Sequence, residues 1–279
     1  LKSGTNNPRK LTSNTLTRFQ ENGREMSDPR IAALDNNRFA IAWVERNYYR
    51  VSPEIIDYTE DIWLAVVDSS NNVVLAPTKI TNSTQGGYQY PYPIVTAVEG
   101  GKLLLAYGQR DPVTSTTLLA YRFFTAFSGG GWIPAENLVA GTSIELPDAI
   151  QLRLNKNLLI AWTNVNSGRI AYLVLNPSAS SVVAGPLDVP TTDQRAMYAV
   201  SVTRDNLGHA ILTWQDDDYF EFLYYALING DGSVGTPTMP FQRSKDTTDP
   251  LIFVSKLSGG NAPLVITQIL NMYMPLMYR

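Results

Sequence analysis

Carboxylates are the side chains in this sequence that offer catalytic chemistry, because the other usual groups are scarce. The chain of 279 residues contains no cysteine and a single histidine, His209. A zinc site needs several nitrogen or sulfur donors, and a cysteine mechanism needs a thiolate, so neither is expected. A Ser-His-Asp mechanism would have to use His209 itself. Because His209 follows Gly208 in a predicted strand, we interpret it as a structural residue.

An acidic run formed by Asp216, Asp217 and Asp218 could contribute oxygen ligands to a calcium ion. The sequence has no loop with the spacing D-x-D-x-D-G, and its nearest segment, 229–232 (NGDG), is typical of a hairpin turn. We therefore favour a solvated turn at the acidic run and expect neither a metal ion nor another cofactor.

Tyrosine is the second residue type with possible binding chemistry. Its flat ring and hydroxyl suit sugar stacking and protein interfaces. Of the fifteen tyrosines, eight lie in or beside predicted loops that share one face, the longest of which is 44–60: Tyr48, Tyr49, Tyr58, Tyr88, Tyr90, Tyr92, Tyr198 and Tyr219. They form either a ligand-binding face or a set of caps that cover the ends of the core, and the sequence leaves both interpretations open.

Composition excludes several classes of function. The net charge is −3, and no basic run exceeds two residues, which argues against nucleic-acid binding. No apolar stretch approaches the length of a membrane span. The sequence begins at Leu1 without an initiator Met or a signal peptide, so we expect a segment of a longer, extracellular or cell-surface protein.

An internal repeat determines how these residues are positioned. An apolar strand, a turn and a second apolar strand recur five times, and the repeats end 52 to 64 residues apart, at positions 43, 107, 162, 214 and 268. Another apolar run follows each hairpin, and then a fourth element that carries a proline. Proline cannot donate to an inner ladder, so the fourth strand belongs at an edge. Four antiparallel strands per repeat are the unit of a β-propeller.

The two ends of the sequence predict how the ring closes. Segment 8–15 (PRKLTSNT) parallels segment 77–84 (PTKITNST), so we expect the N-terminus to supply the last strand of the fifth blade. The predicted fold is all-β, a five-bladed propeller of four-stranded antiparallel blades in one domain, 1–279. A fragment of a six- to eight-bladed ring is the alternative. The blades are expected at about 28–82, 92–141, 147–191, 197–242, and 250–279 plus 1–15.

Two short motifs resemble the five-bladed arabinanase and xylosidase glycoside hydrolases. Asp28-Pro29 opens blade 1, and Glu145 precedes Pro147 at the opening of blade 3. The resemblance implies Asp28 as general base and Glu145 as general acid of a glycosidase. Blade 2 departs from the pattern, because 90–93 (YPYP) stands where that family has another Asp. Over most of its length the sequence also resembles degenerate propeller repeats of bacterial surface and secreted proteins.

The sequence is compatible with three functions. The leading expectation is a non-catalytic extracellular module that recognises a glycan or a protein through the tyrosine face, or serves as a scaffold. The first alternative is a glycoside hydrolase that uses Asp28 and Glu145. The second is a structural subunit of a surface filament or another multi-protein assembly.

Overall fold

The computed structural model describes residues 23–35, 37–125, 127, 133–140, 143–152, 155–190, 197–204, 208–216, 222–242, 252–254 and 266–268. Within strands, the backbone alone is described at 197–199, 216, 222–223, 238–242, 252–254 and 266–268. The predicted closure of the ring by residues 1–15 lies outside the described residues.

Described strands form four sheets of four antiparallel strands and one further strand pair, each in chain order. Blade 1 contains β1 (Arg24–Leu34), β2 (Arg38–Ser52), β3 (Ile55–Asp68) and β4 (Val73–Lys79). Blade 2 contains β5 (Ile94–Val98), β6 (Lys102–Arg110), β7 (Thr117–Phe124) and β8 (Asn137–Val139). Blade 3 contains β9 (Ile144–Gln151), β10 (Leu158–Asn164), β11 (Arg169–Asn176) and β12 (Ser181–Asp188). Blade 4 contains β13 (Met197–Arg204), β14 (Ala210–Asp216), β15 (Phe222–Ile228) and β16 (Thr238–Gln242). The strand pair is β17 (Ile252–Val254) with β18 (Ile266–Gln268).

This architecture confirms the predicted all-β fold, a β-propeller of four-stranded antiparallel blades. The inner strands are continuous apolar runs buried on both faces, as in β10, where Leu158 to Thr163 are all buried. Prolines lie in the fourth strand, Pro77 in β4 and Pro186 in β12, and both strands are sheet edges. In the part of the chain that the structure describes, no helix is long and apolar enough to cross a membrane.

The chain divides into two compact units, Leu1–Thr142 and Ser143–Arg279. In the first unit, blades 1 and 2 share a core that includes Leu64, Leu105 and Tyr107. In the second unit, blades 3 and 4 share a core that includes Leu212 and Trp214. Each fully buried side chain of this size contributes roughly 1.5–3 kcal/mol, so packing between neighbouring sheets stabilises each unit. The expectation that 1–279 form one domain, with the blade bounds given above, stays a prediction.

Segment 44–60, expected as the longest loop, is the extended end of the hairpin β2–β3. The two strands pair without interruption from Arg38 to Arg50, with a register shift only at the tip. Two cross-strand pairs explain why this polar segment is a ladder: Arg46 lies opposite Glu60, and Tyr48 lies opposite Tyr58. Opposite charges and paired aromatic rings stabilise antiparallel ladders, and these pairs are visible only once the register is known.

Candidate active site

Three blades open with the same unusual backbone conformation. The residue before proline has a left-handed φ in each: 51° at Asp28, 59° at Tyr92 and 45° at Leu146. Residues before proline favour extended backbone, and left-handed non-glycine residues are uncommon. Each such residue costs about 1–3 kcal/mol and persists only where its surroundings enforce it, most often at functional sites. We call these three positions the blade openings.

Irregular pairing accompanies the blade openings of blades 1 and 3. The register between β1 and β2 shifts between Ser27 and Arg30, and the register between β9 and β10 shifts opposite Ala161 to Thr163. Such bulges redirect a side chain away from the regular alternation of a strand. The sequence motifs that contain Asp28 and Glu145 are therefore found where the first strand of their blade departs from regular geometry.

Asp28 presents an exposed carboxylate. The hydroxyl of Ser27 donates a hydrogen bond to Asp28 Oδ2 at 3.0 Å. A carboxylate in this position is accessible to a substrate or a water molecule, which a general base requires.

Glu60 is a buried carboxyl group of the same unit that sequence reasoning missed. Arg46 Nε donates to Glu60 Oε1 at 2.7 Å, and the Arg46 side chain also forms an ion pair with it. Burial raises the pKa of Glu60, Arg46 opposes this, and the charge of Asp28 raises the pKa of Glu60 further. Asp28 and Glu60 are thus electrostatically coupled. The sequence offers no clear signal for Glu60, because it lies in a polar segment and its pairing with Arg46 depends on the register of β2 and β3.

Ionic and aromatic contacts fix the strands around Glu60. Tyr48 donates its hydroxyl hydrogen to Glu25 Oε2 at 2.6 Å. The guanidinium of Arg46 lies 5.5 Å from the centre of the Tyr58 ring, and the rings of Tyr48 and Tyr58 meet edge to face at 5.7 Å. The position of the strands around Glu60 relative to Asp28 is therefore set by this network of contacts in the hairpin β2–β3.

Other charged groups of blade 1 are equally well paired. Arg24 forms an ion pair with the buried Glu45. The buried Asp61 pairs with Lys79 at 2.7 Å and accepts a hydrogen bond from the backbone N–H of Ser83 at 2.6 Å. These contacts hold the sheet together, so Asp61 and Glu45 are structural carboxylates.

The predicted tyrosines have several environments. Tyr48 and Tyr90 are buried, whereas the side chain of Tyr88 is 46% exposed. Tyr49, Tyr58 and Tyr92 are partly exposed, and the Tyr49 hydroxyl lies 3.3 Å from Asp57 Oδ2. For Tyr198 only the backbone of β13 is described, and Tyr219 lies outside the described residues. The binding role assigned to the set from sequence stays a prediction.

Glu145 lies in the second unit, near the start of β9. Its side chain is partly buried, and it pairs across the ladder with Thr163 of β10. The hydroxyl of Thr163 is buried and makes no hydrogen bond within the described residues. Asp148, three positions further along, accepts hydrogen bonds from the N–H groups of Ala149 at 2.9 Å and Val202 at 2.8 Å. Asp148 therefore holds blades 3 and 4 together, while Glu145 is placed at the irregular opening.

Metal-ligand geometry is not found among the described residues, where no group of three or more His, Asp or Glu side chains is arranged to hold an ion. Of the acidic run, Asp216 ends β14 with only its backbone described, and Asp217 and Asp218 lie outside the described residues. His209 directly precedes β14.

Solved structures with a similar fold include carbohydrate-active enzymes. A protein of unknown function from Dyadobacter fermentans matches with a TM-score of 0.51 and 12% identity, over 87% of this chain and 75% of that chain. An α-L-arabinanase from Penicillium chrysogenum, complexed with arabinobiose, matches with a TM-score of 0.48 and 15% identity, over 74% of this chain and 65% of that chain. An exo-β-1,3-galactanase from Phanerochaete chrysosporium, with galactose, matches with a TM-score of 0.48 and 9% identity, over 76% of this chain.

This chain spans about half the length of the galactanase structure, 49%. No protein-family model and no curated protein matches the sequence. At these identities the similarity shows a shared fold.

The leading expectation of a non-catalytic module is corrected by this comparison. The named enzymes in it are an arabinanase and a galactanase, not binding modules. Tyrosine-rich loops alone do not separate a binding module from an enzyme, because aromatic residues serve both a binding surface and the packing of blades. In this chain Tyr48 and Tyr90 belong to the packing.

Proposed function

We propose that this protein is a glycoside hydrolase with Asp28 as a reacting carboxylate. The observation that carries the proposal is the recurrent blade opening, which combines a left-handed residue before proline with an acidic side chain in blades 1 and 3. The substrate is a glycan, and the protein acts outside the cell or at its surface.

Asp28 is the general base. Its carboxylate is exposed and lies on the left-handed residue itself. A base that activates water must be reachable by solvent and substrate. The resemblance to arabinanases and xylosidases implies Glu145, which directly precedes the left-handed Leu146 in the second unit, as the general acid.

Two titratable carboxyl groups in contrasting environments support acid–base chemistry in the first unit. Asp28 is exposed, whereas Glu60 is buried and its pKa is raised by burial. Such contrasts are common where a fold carries out proton transfer. Glu60 is shielded from substrate, so its part is to adjust the electrostatic field at Asp28.

Hydrolysis of aryl glycosides tests the proposal and separates the two roles. We expect cleavage of at least one of the 4-nitrophenyl α-L-arabinofuranoside, β-D-xylopyranoside and β-D-galactopyranoside substrates. Asp28→Asn should lower kcat by about 10²–10⁴-fold for every leaving group, because water activation is lost. Glu145→Gln should lower kcat comparably for 4-nitrophenyl substrates and far less for 2,4-dinitrophenyl substrates, whose departure needs little protonation.

Matched controls are Asp35→Asn and Glu54→Gln, which alter exposed carboxylates elsewhere in blade 1. Both should retain the wild-type kcat. The proposal is contradicted if the wild type cleaves none of the substrates, or if Asp28→Asn is as active as Asp35→Asn. Equal loss for both leaving-group classes in Glu145→Gln would remove Glu145 as the acid.

A further inference from the structure

We propose that Tyr92 is a sugar-contacting residue beside Asp28, where its ring receives the apolar C–H face of a substrate sugar. This inference rests on the proposed hydrolase function and assigns a specificity-determining residue to it. The resemblance to arabinanases did not point to this residue, because that family has an acidic side chain at the corresponding place.

The backbone on both sides of Tyr92 is held firmly. Tyr90 donates its backbone N–H to the carbonyl of Glu60 at 3.1 Å, and the carbonyl of Pro91 accepts a hydrogen bond from the N–H of Gly108 at 2.7 Å. Pro91 and Pro93 are both buried. Two fixed proline φ angles and two hydrogen bonds therefore determine where Tyr92 lies.

Close packing depends on a glycine at the neighbouring position of β6. A Cβ added at Gly108 would lie 3.1 Å from Pro91 Cγ and 2.6 Å from Thr117 Cγ2. Only glycine lets the segment that carries Tyr92 approach its own sheet this closely.

Asp28 and Tyr92 occupy the corresponding positions of neighbouring blades. Both are left-handed residues before proline, and the strands that they open, β1 and β5, pack against each other. Glu60 links these two residues. The charge of Asp28 raises the pKa of Glu60, and the backbone carbonyl of Glu60 accepts a hydrogen bond from the N–H of Tyr90. The ring is thus attached to the same framework as the carboxylate.

A tyrosine is a poor choice for this backbone conformation if the backbone alone matters. Glycine adopts a left-handed φ freely, and Asn tolerates it better than an aromatic residue does. The side chain of Tyr92 is partly exposed, so its ring can be reached from solvent. An aromatic face next to a catalytic carboxylate would hold a sugar through stacking and a hydroxyl hydrogen bond.

Binding and kinetics of three variants test the assignment. Tyr92→Phe keeps the ring, Tyr92→Asn removes it at little backbone cost, and Val113→Ala shortens an exposed apolar side chain of the same unit as a control. Kd values for arabinobiose and β-1,3-galactotriose are measured by calorimetry in the Asp28→Asn background. KM and kcat are measured on the aryl glycoside that the wild type cleaves.

We expect Tyr92→Asn to raise Kd and KM by about tenfold or more, with Tyr92→Phe and Val113→Ala within about threefold of the parent. Circular dichroism and the urea midpoint report whether Tyr92→Asn is folded. If Tyr92→Asn is not folded, the Kd and KM values of Tyr92→Phe are compared with those of Tyr92→Leu instead, since leucine is apolar but offers no aromatic face.

Failure of the inference differs from failure of the proposed function. Hydrolysis with unchanged KM and Kd in the folded Tyr92→Asn or Tyr92→Leu variant would overturn the role of Tyr92 and leave the hydrolase intact. Sugar binding that depends on Tyr92, without hydrolysis by the wild type, would overturn the hydrolase and support the contact. Neither binding nor hydrolysis would overturn both.

Discussion

Glu60 shows how opposing influences act on a single buried residue. Its ion pair with Arg46 favours the carboxylate, whereas burial and the charge of Asp28 disfavour it, and the pKa of Glu60 is raised above its ordinary value of 4.5. Burial therefore outweighs the ion pair, as is common for charges removed from water. The group binds a proton more tightly in the folded state than in the unfolded state.

The raised pKa of Glu60 predicts the sign of a pH effect. The stability that comes from tighter proton binding is fully present below pH 4.5 and is lost as the pH rises through the raised pKa. We expect Glu60→Gln to have a higher free energy of unfolding than the wild type at pH 7, and an equal one near pH 4. Urea unfolding of both proteins across this range measures the difference.

The coupling to Asp28 supplies a control for this effect. Because the charge of Asp28 raises the pKa of Glu60, Asp28→Asn should reduce the difference between the wild type and Glu60→Gln, measured in that background. A difference that does not change with pH would show that Glu60 titrates alike in both states and would contradict the assignment.

Tyr107 is a buried hydroxyl between two charged side chains. It donates a hydrogen bond to Glu136 and accepts one from Arg122 Nε at 2.7 Å. Burial and this hydrogen bond to Glu136 raise the pKa of Tyr107, so the phenol stays protonated as a donor. Tyr107→Phe should lower the free energy of unfolding by about 1–2 kcal/mol, the typical effect of leaving buried polar groups without a partner.

Urea unfolding at neutral pH measures the loss at Tyr107. The effect should stay moderate because Arg122 and Glu136 keep their own contact at 3.2 Å. Tyr88→Phe is the control, since the Tyr88 side chain is exposed and should change stability little. Equal stabilities of the two variants would mean that the Tyr107 hydroxyl contributes no net energy.

At the scale of elements, the opening of blade 2 depends on how closely its segment approaches β6. Gly108→Ala would place a methyl group 2.6 Å from Thr117 Cγ2 and 3.1 Å from Pro91 Cγ. We expect a loss of about 1–3 kcal/mol, because the segment and the sheet must move apart. The same displacement should raise KM, since it shifts Tyr92.

Gly235→Ala is a matched control for the crowding at Gly108. A Cβ at Gly235 would have its nearest neighbour at 3.6 Å, an ordinary contact distance. Thermal unfolding of the two variants should separate them by several degrees. If they unfold at the same temperature, the space around Gly108 is less confined than its contacts indicate.

The hairpin β2–β3 illustrates what sequence reasoning could and could not predict about an element. The apolar parts of its two strands were predicted, because the same apolar runs recur in each repeat. Its polar end, 44–60, was expected as a loop, because charged and aromatic residues alternate there without an apolar face. Cross-strand pairing of Arg46 with Glu60 and Tyr48 with Tyr58 stabilises it, and such pairing depends on register.

For the whole molecule, repetition made the fold predictable. Each blade repeats the same strands and edge proline, so the pattern was readable several times over. Asp28 and Glu145 could be selected because they belong to short motifs beside proline. Glu60 and the left-handed backbone of Tyr92 could not, since burial, ion pairing and φ result from contacts between distant strands. Site residues that belong to a short sequence motif were therefore predicted, and those that packing between distant strands brings into the site were missed.

Acid should weaken the same kind of turn in several blades at once. Asp68, Asp111 and Asp231 lie in the turns after β3, β6 and β15, and each carboxylate accepts hydrogen bonds from backbone N–H groups of its own turn. The pKa of each group is lowered below its ordinary value of 3.8, at Asp68 chiefly by the hydrogen bond that the Asn72 side-chain amide donates at 2.9 Å and at Asp111 and Asp231 chiefly by the backbone bonds. The stability that they contribute is present above pH 3.8 and is lost as the pH falls through the lowered values.

The triple variant Asp68→Asn, Asp111→Asn, Asp231→Asn tests this shared dependence. An Asn side chain still accepts a hydrogen bond in such turns but does not titrate, so part of the turn structure remains. We expect the urea midpoint of the wild type to fall more steeply between pH 5 and pH 2 than that of the triple variant, with Asp35→Asn behaving as the wild type. Since the three turns lie in blades 1, 2 and 4, the acid effect should appear in both units. Parallel slopes for the wild type and the triple variant would show that acid acts on other groups.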